Sequence, residues 1–143
     1  MKNKVSIITI NLNNRVGLEK TFQSVIKQDY SFYEYLVVDG GSTDGSKEFL
    51  DLNSLNISFW VSEHDSGVYD AMNKGIKLSS GDFLVFLNSG DCFANESSLS
   101  KLVSASAGFD LVYGDLMIKD QEDEWIKKYP DHLNLRYFYF ESI

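Results

Sequence analysis

Val5-Ser6-Ile7-Ile8-Thr9-Ile10, running straight into Asn11-Leu12-Asn13-Asn14, is the stretch that decides the fold. Six residues rich in β-branched side chains make a short apolar run, which suits a strand buried on both faces. The polar residues that follow end it and offer Asn13 or Asn14 as a helix cap. Leu18, Phe22, Val25 and Ile26 then repeat at i, i+4, i+7 and i+8, which predicts a helix. The same alternation continues outward. Tyr35–Asp39, Ser58–Ser62 and Phe83–Leu87 read as further strands. A helix from Ser46 through Leu50, opened by Ser42, Thr43 or Asp44, follows the second strand. Another over Val68–Leu78 places Val68, Met72 and Ile76 on one face and ends before Gly81. Strand alternating with helix predicts an α/β fold, a mostly parallel sheet with right-handed crossovers and helices on its faces.

Beyond Asp91 the pattern changes. Leu99, Leu102 and Val103 predict one more helix. Asp110–Ile118 and Trp125–Tyr129 predict a β-hairpin near the C-terminal end, turning over Lys119–Glu124. The aromatic tail Leu135-Arg136-Tyr137-Phe138-Tyr139-Phe140 needs a cover: this domain, a second copy of the chain in a homo-oligomer, or a continuation.

Composition narrows the function. At 143 residues, 43% of them hydrophobic, the chain has the size and apolar content of one packed structural domain. Thirteen Lys and Arg against 21 Asp and Glu give a net charge of −8, with no basic run to neutralise phosphates, so a nucleic-acid binder is excluded. No apolar stretch reaches the roughly 18 residues of a membrane span. Cys92 is the single cysteine, which rules out an internal disulfide and a cysteine metal cluster. A cytoplasmic location is expected.

In a parallel α/β sheet, ligands bind beyond the carboxyl ends of the strands. Three polar segments fall there: Thr9–Asn14, Asp39–Gly45 and Asn88–Asp91. Gly40-Gly41-Ser42-Thr43-Asp44-Gly45-Ser46-Lys47 is not a P-loop, because Ser46 precedes Lys47. A glycine-permitted turn and helix cap explain Ser42, Thr43 and Asp44 equally well. Asp39, the last residue of its strand before two glycines, reads as a ligand contact. Asp91, beside Gly90, is a hard carboxylate able to hold Mg²⁺ or Mn²⁺ if diphosphate oxygens and water complete the shell. His64 reads as a solvated loop residue, and no Gly-x-Ser-x-Gly supports a hydrolase triad.

Four segments in order carry a resemblance: Val5–Asn14, Val37-Val38-Asp39-Gly40-Gly41-Ser42-Thr43-Asp44-Gly45, Gly67-Val68-Tyr69-Asp70-Ala71-Met72-Asn73-Lys74-Gly75-Ile76, and Gly81–Asp91. Together they resemble the bacterial glycosyltransferases of family 2, with the GT-A fold. The resemblance implies inverting transfer of a sugar from a nucleotide-diphosphate donor, a UDP-sugar first among them, to a hydroxyl of a glycan or lipid-linked glycan. It places the work in capsule, exopolysaccharide or lipopolysaccharide assembly, in the cytoplasm or at the inner face of the membrane. It implies that Thr9, Asn11, Asn13 and Asp39 hold the nucleoside, that Asp65 and Lys74 lie along the nucleotide and its phosphates, and that Asp91 binds Mn²⁺ or Mg²⁺.

The sequence departs from the family at Asn88 and Gly90, where Asp is frequent, and at Gly40, where Asp is common. Residues 1–95 correspond to the donor-binding region and 96–143 to the start of the acceptor side, so the chain is expected to be truncated. No residue matches the family's catalytic base. Asp115 alone among Asp110, Asp115, Asp120 and Asp123 is put forward for that role. The alternative is a non-catalytic nucleotide-binding or assembly module of the same fold. A nucleotidyltransferase ranks below both, because Asn11-Leu12-Asn13-Asn14-Arg15 lacks the glycines of its phosphate loop.

Overall fold

In the computed structural model, residues 3–119 and 123–129 are described. The chain divides into two compact units, Met1–Val103 and Ser104–Ile143. In the first, four strands, β1 (Val5–Asn11), β2 (Tyr33–Asp39), β3 (Phe59–Ser62) and β4 (Phe83–Phe86), form one sheet in the order β3-β2-β1-β4. All three pairings are parallel. Helices α1 (Arg15–Ile26), α2 (Ser46–Leu52) and α3 (Val68–Leu78) are the crossovers, as the alternation of patterns requires. Helix α4 (Ser98–Ala105) follows β4.

β1 is central and buried along its whole length, and β2 is buried over its last five residues. Their side chains alternate between two apolar layers. Val5, Ile7, Tyr35 and Val37 join Leu18 and Phe22 of α1 in one cluster; Ile10 and Val38 join Ala71 of α3 in the other. The Phe22 ring meets Phe49 of α2 edge-on at 5.3 Å. β3 and β4 depart from the expectation of strands buried on both faces. They form the two edges of this sheet and leave Phe59 and Leu84 exposed.

The predicted bounds of α3 hold, and its packing face holds in part: Met72 packs against the Ile10, Val38 and Ala71 cluster, but Val68 and Ile76 are exposed, while Ala71 and Gly75 are buried. A Cβ on Gly75 would lie 2.5 Å from Ile8 Cγ2, so the helix comes closest to β1 along its smallest side chains. Close approach has outweighed the size of the apolar residues on the neighbouring stripe. Asn14 caps α1, its Oδ1 accepting from Gly17 N at 3.1 Å. At α2 the cap position is Gly45, at φ +88°, and Asp44 takes the Ser46 N–H from one residue further out.

Glu34 ties together the end of the sheet away from the strand-end polar segments. Its carboxylate accepts from Lys4 Nζ at 2.7 Å, from Ser6 Oγ, and from both the backbone N–H and the hydroxyl of Ser80. Burial opposes its charge, but these donors outweigh burial and hold its pKa at about 2. β1, β2 and the turn before β4 are thereby joined.

In the second unit, β5 (Leu116–Lys119) and β6 (Glu124–Lys127) pair antiparallel, flanked by a 2.7 Å Lys119–Glu124 ion pair. The hairpin exists, but its strands are shorter than predicted: residues 110–115 stay outside the ladder, and Asp115 Oδ1 accepts from Tyr129 N at 3.1 Å. The tail at 135–140 lies outside the described residues. No helix among the described residues is long and apolar enough to cross a membrane.

Candidate donor-binding site

The three polar segments meet at the carboxyl edge of the first unit's sheet. Pairing of Asn11 with Asp39 and of Asp39 with Ser62 sets the ends of β1, β2 and β3 level. Leu87 N and Ser89 N donate to Ile8 O and Ile10 O, so the Asn88–Asp91 turn stays beside β1.

Asp39 is the hub of this edge and is fully buried. Oδ1 accepts from Asn11 Nδ2 at 2.7 Å and from Ser42 Oγ; Oδ2 accepts from Ser42 N at 2.9 Å and Ser62 Oγ at 2.6 Å. Burial pushes its pKa up, the donors from Ser42, Ser62 and Asn11 push it down, and the donors prevail. The carboxylate is thus anionic and engaged within the chain. Ser42 Oγ accepts in turn from Asn13 N at 2.7 Å, and Asn13 Oδ1 accepts from Thr43 N at 2.9 Å. Asp44 Oδ2 accepts from Arg15 N at 2.7 Å. Asn13 takes a left-handed conformation, φ 48°, which asparagine tolerates well. The loops after β1 and β2 are therefore one hydrogen-bonded body.

The residues singled out in the sequence separate into groups. Asn11, Asn13 and Asp39 belong to that body. Thr9 lies inside the sheet instead, where its hydroxyl takes the Tyr35 O–H at 3.1 Å; burial raises the Tyr35 phenol well above its usual range and keeps it neutral. Lys74 reaches back from α3 to Glu63 Oε1 at 2.9 Å and donates to the His64 carbonyl at 3.2 Å, bracing the loop before α3. The Glu63 carboxylate holds its ammonium above the usual lysine range. Asp65 stands on that braced loop, and Asp91 is exposed at the end of the Asn88–Asp91 turn. Asp115 belongs to the second unit.

Thr21 is a residue that the sequence reading missed. Fully buried on α1, its hydroxyl accepts from Gly90 N at 2.9 Å and lies 2.8 Å from Asp91 O, well placed to donate. One side chain therefore fixes the backbone on both sides of the Gly90–Asp91 peptide. The available signal is a polar residue on the helix face of Leu18, Phe22 and Val25. Thr21→Val, of nearly equal volume, is expected to lower stability by about 1–3 kcal/mol, the cost of stranding a buried donor. Thermal unfolding reads that loss; an unchanged melting temperature would show that the turn holds itself.

Among the described residues, no three His, Cys, Asp or Glu side chains gather as a metal cage. The donor set at Asp91, one exposed carboxylate on a fixed turn, fits a hard cation that arrives with a diphosphate and keeps several waters.

A parallel sheet with crossover helices on both faces and a polar strand-end edge defines an α/β protein of the class whose members bind ligands beyond their strand ends. Residues 6–142 match the family Glycosyl transferase family 2, and the chain belongs to that family. It is 43% identical over 105 residues to a glycosyltransferase of Mycobacterium tuberculosis, an alignment covering 73% of this chain and 40% of the relative. The chain thus spans about two-fifths of that relative's length. Among solved structures, a mannosyltransferase of Pyrobaculum calidifontis in complex with GDP-Man and Mn²⁺ superposes with a TM-score of 0.70 at 22% identity, over 75% of this chain and 33% of the other. Staphylococcus aureus TarS 1–349 in complex with UDP-GlcNAc gives 0.66 at 23% identity, over 73% and 31%. Both likenesses establish the shared fold.

Proposed function

We propose that this chain is the donor-binding part of an inverting glycosyltransferase, taking a sugar from a nucleoside-diphosphate donor to a hydroxyl of a glycan or lipid-linked acceptor in cell-surface polysaccharide synthesis. The observation that carries this reading is the strand-end edge itself. Asp39, Asn11, Ser42 and Asn13 use their polar groups on one another and so hold a fixed floor, while Asp65 and Asp91 project carboxylates from loops that Lys74 and Thr21 brace. Family membership and the nucleotide-sugar complexes of the structural relatives support it.

In this mechanism the floor is ordered before the nucleoside arrives, so little ordering cost remains to be met on binding. Asp91 would hold Mn²⁺ or Mg²⁺, a Lewis acid that stabilises the negative charge of a departing diphosphate. The acceptor hydroxyl needs a base, and Asp115 is the proposed one within this chain. The net charge of −8 disfavours an anionic diphosphate, which is why a metal is assigned the task of offsetting it.

Calorimetric titration of the chain with UDP and GDP, in Mn²⁺ and then in EDTA, tests the reading. Asp91→Asn is expected to weaken Mn²⁺-dependent binding at least tenfold and to leave binding in EDTA unaltered. Equal Mn²⁺ dependence in the variant and the parent would remove Asp91 from the metal site.

A further inference from the structure

Gly40 does not need to be glycine for its backbone. It lies outside the set of left-handed glycines, and its N–H donates to Asn11 O at 2.9 Å as an ordinary continuation of the β1–β2 ladder. What it provides is space. A Cβ built there would lie 2.8 Å from Asp65 Oδ2 and 3.2 Å from Leu12 Cδ1. The Asp65 carboxylate has therefore come across from the loop before α3 into the room that a side chain at position 40 would fill. Its Oδ1 accepts from Gly67 N at 3.0 Å, and Oδ2 is left as the acceptor facing the edge. Beside it Leu12 exposes 58% of its surface, an apolar wall at the rim of an otherwise polar floor.

An apolar wall next to one available carboxylate oxygen suits a flat heterocycle carrying an N–H. Guanine presents two adjacent N–H donors that pair best with both oxygens of a carboxylate, whereas uracil presents a single ring N–H. We propose that Asp65, lodged in the space left by Gly40, reads the base of the donor nucleotide and favours uracil over guanine. This inference rests on the donor-binding reading above and goes further by assigning base choice to one residue pair.

The test is a calorimetric series on the 143-residue chain with UMP and GMP in EDTA, which removes any contribution of the metal. The parent is expected to bind UMP at least tenfold more tightly than GMP. Asp65→Ala should lose about tenfold or more for UMP, and Gly40→Ala, which displaces the carboxylate, a similar amount. Asp65→Asn keeps an oxygen for Gly67 N and reads the same contact should the alanine variant not fold. The decisive variant is the double substitution Gly40→Asp with Asp65→Ala, which returns a carboxylate to the same space from β2. Recovery of most of the lost UMP affinity is expected, and a role confined to holding the loop through Gly67 would not give it. UMP affinity unchanged by Asp65→Ala and Asp65→Asn, a double variant as weak as Asp65→Ala alone, or a parent that prefers GMP would each overturn the proposal. A folded parent that binds no nucleotide, with or without Mn²⁺, would instead overturn the donor-binding reading itself.

Discussion

Asp39→Asn is expected to lower the melting temperature by about 10 °C and to weaken nucleotide binding more than tenfold, although the side chain is fully buried. The carboxylate accepts four hydrogen bonds, two on each oxygen. An amide of the same shape cannot replace it. With its nitrogen toward Ser42 it confronts the backbone N–H; with its nitrogen toward Asn11 it requires the Asn11 amide to turn its unpartnered Oδ1 inward, which withdraws the Asn11 donor from Ser42 Oγ. That rearrangement and the loss of charge-assisted bonds together cost about 3 kcal/mol. Because Ser42 carries Asn13 and Asn13 carries Thr43, the disturbance passes to the floor of the site. The native pKa of Asp39 is depressed, so its stabilisation is complete above the ordinary aspartate value and fades as the pH falls through the native one. A variant that melts and binds as the parent does would show that the hub is dispensable.

The second large effect belongs to Glu34. Moving a carboxyl from 4.5 in the unfolded chain to about 2 in the folded one stabilises the fold by about 3 kcal/mol at neutral pH. The sign follows from the depressed native value: the contribution is whole above about pH 4.5 and is lost as the pH falls toward 2. Glu34→Gln should therefore be less stable than the parent by about that amount at pH 7, and the gap should close as both are acidified. Urea unfolding at pH 7, 4 and 2.5 measures it. Two stability curves that run parallel over that range would rule out the clamp. The site lies at the other end of the sheet, so nucleotide affinity at neutral pH should change little.

The order of elements was plain in the sequence because β-branched runs and 3.6-residue patterns alternate without interruption from Val5 to Leu87. The placing of the strand-end segments followed from that order, since a parallel sheet puts every strand-to-helix loop on the same edge. What could not be read was direction and partnership at single residues. Of the stripe Val68, Met72 and Ile76, Met72 alone packs on the core, and Ala71 and Gly75 make the closest approach, because distance to Ile8 and not side-chain size decided that contact. Asp39 was read as a contact for a ligand; in the fold its oxygens are met by Ser42, Ser62 and Asn11, two of which come from other strands. Thr21 gave only the faint signal of a hydroxyl among apolar neighbours, and its partners Gly90 and Asp91 lie some seventy residues away, at separations of 69 and 70. Such pairings depend on register between distant segments, which local pattern does not encode.

The position of β1 in the middle of the sheet governs the order in which this protein can assemble. It precedes the other three strands of its sheet in the chain, yet its two neighbours are β2 and β4, and Val5 pairs with Phe83. On the ribosome its β4 flank stays unpaired until the chain has grown past residue 86, while the helices that will cover it emerge one after another. Contacts so distant along the chain form slowly, and an apolar strand left waiting is prone to pair with the wrong partner. Growth temperature and chaperone supply should therefore influence the yield of folded protein more than the final stability of the fold does.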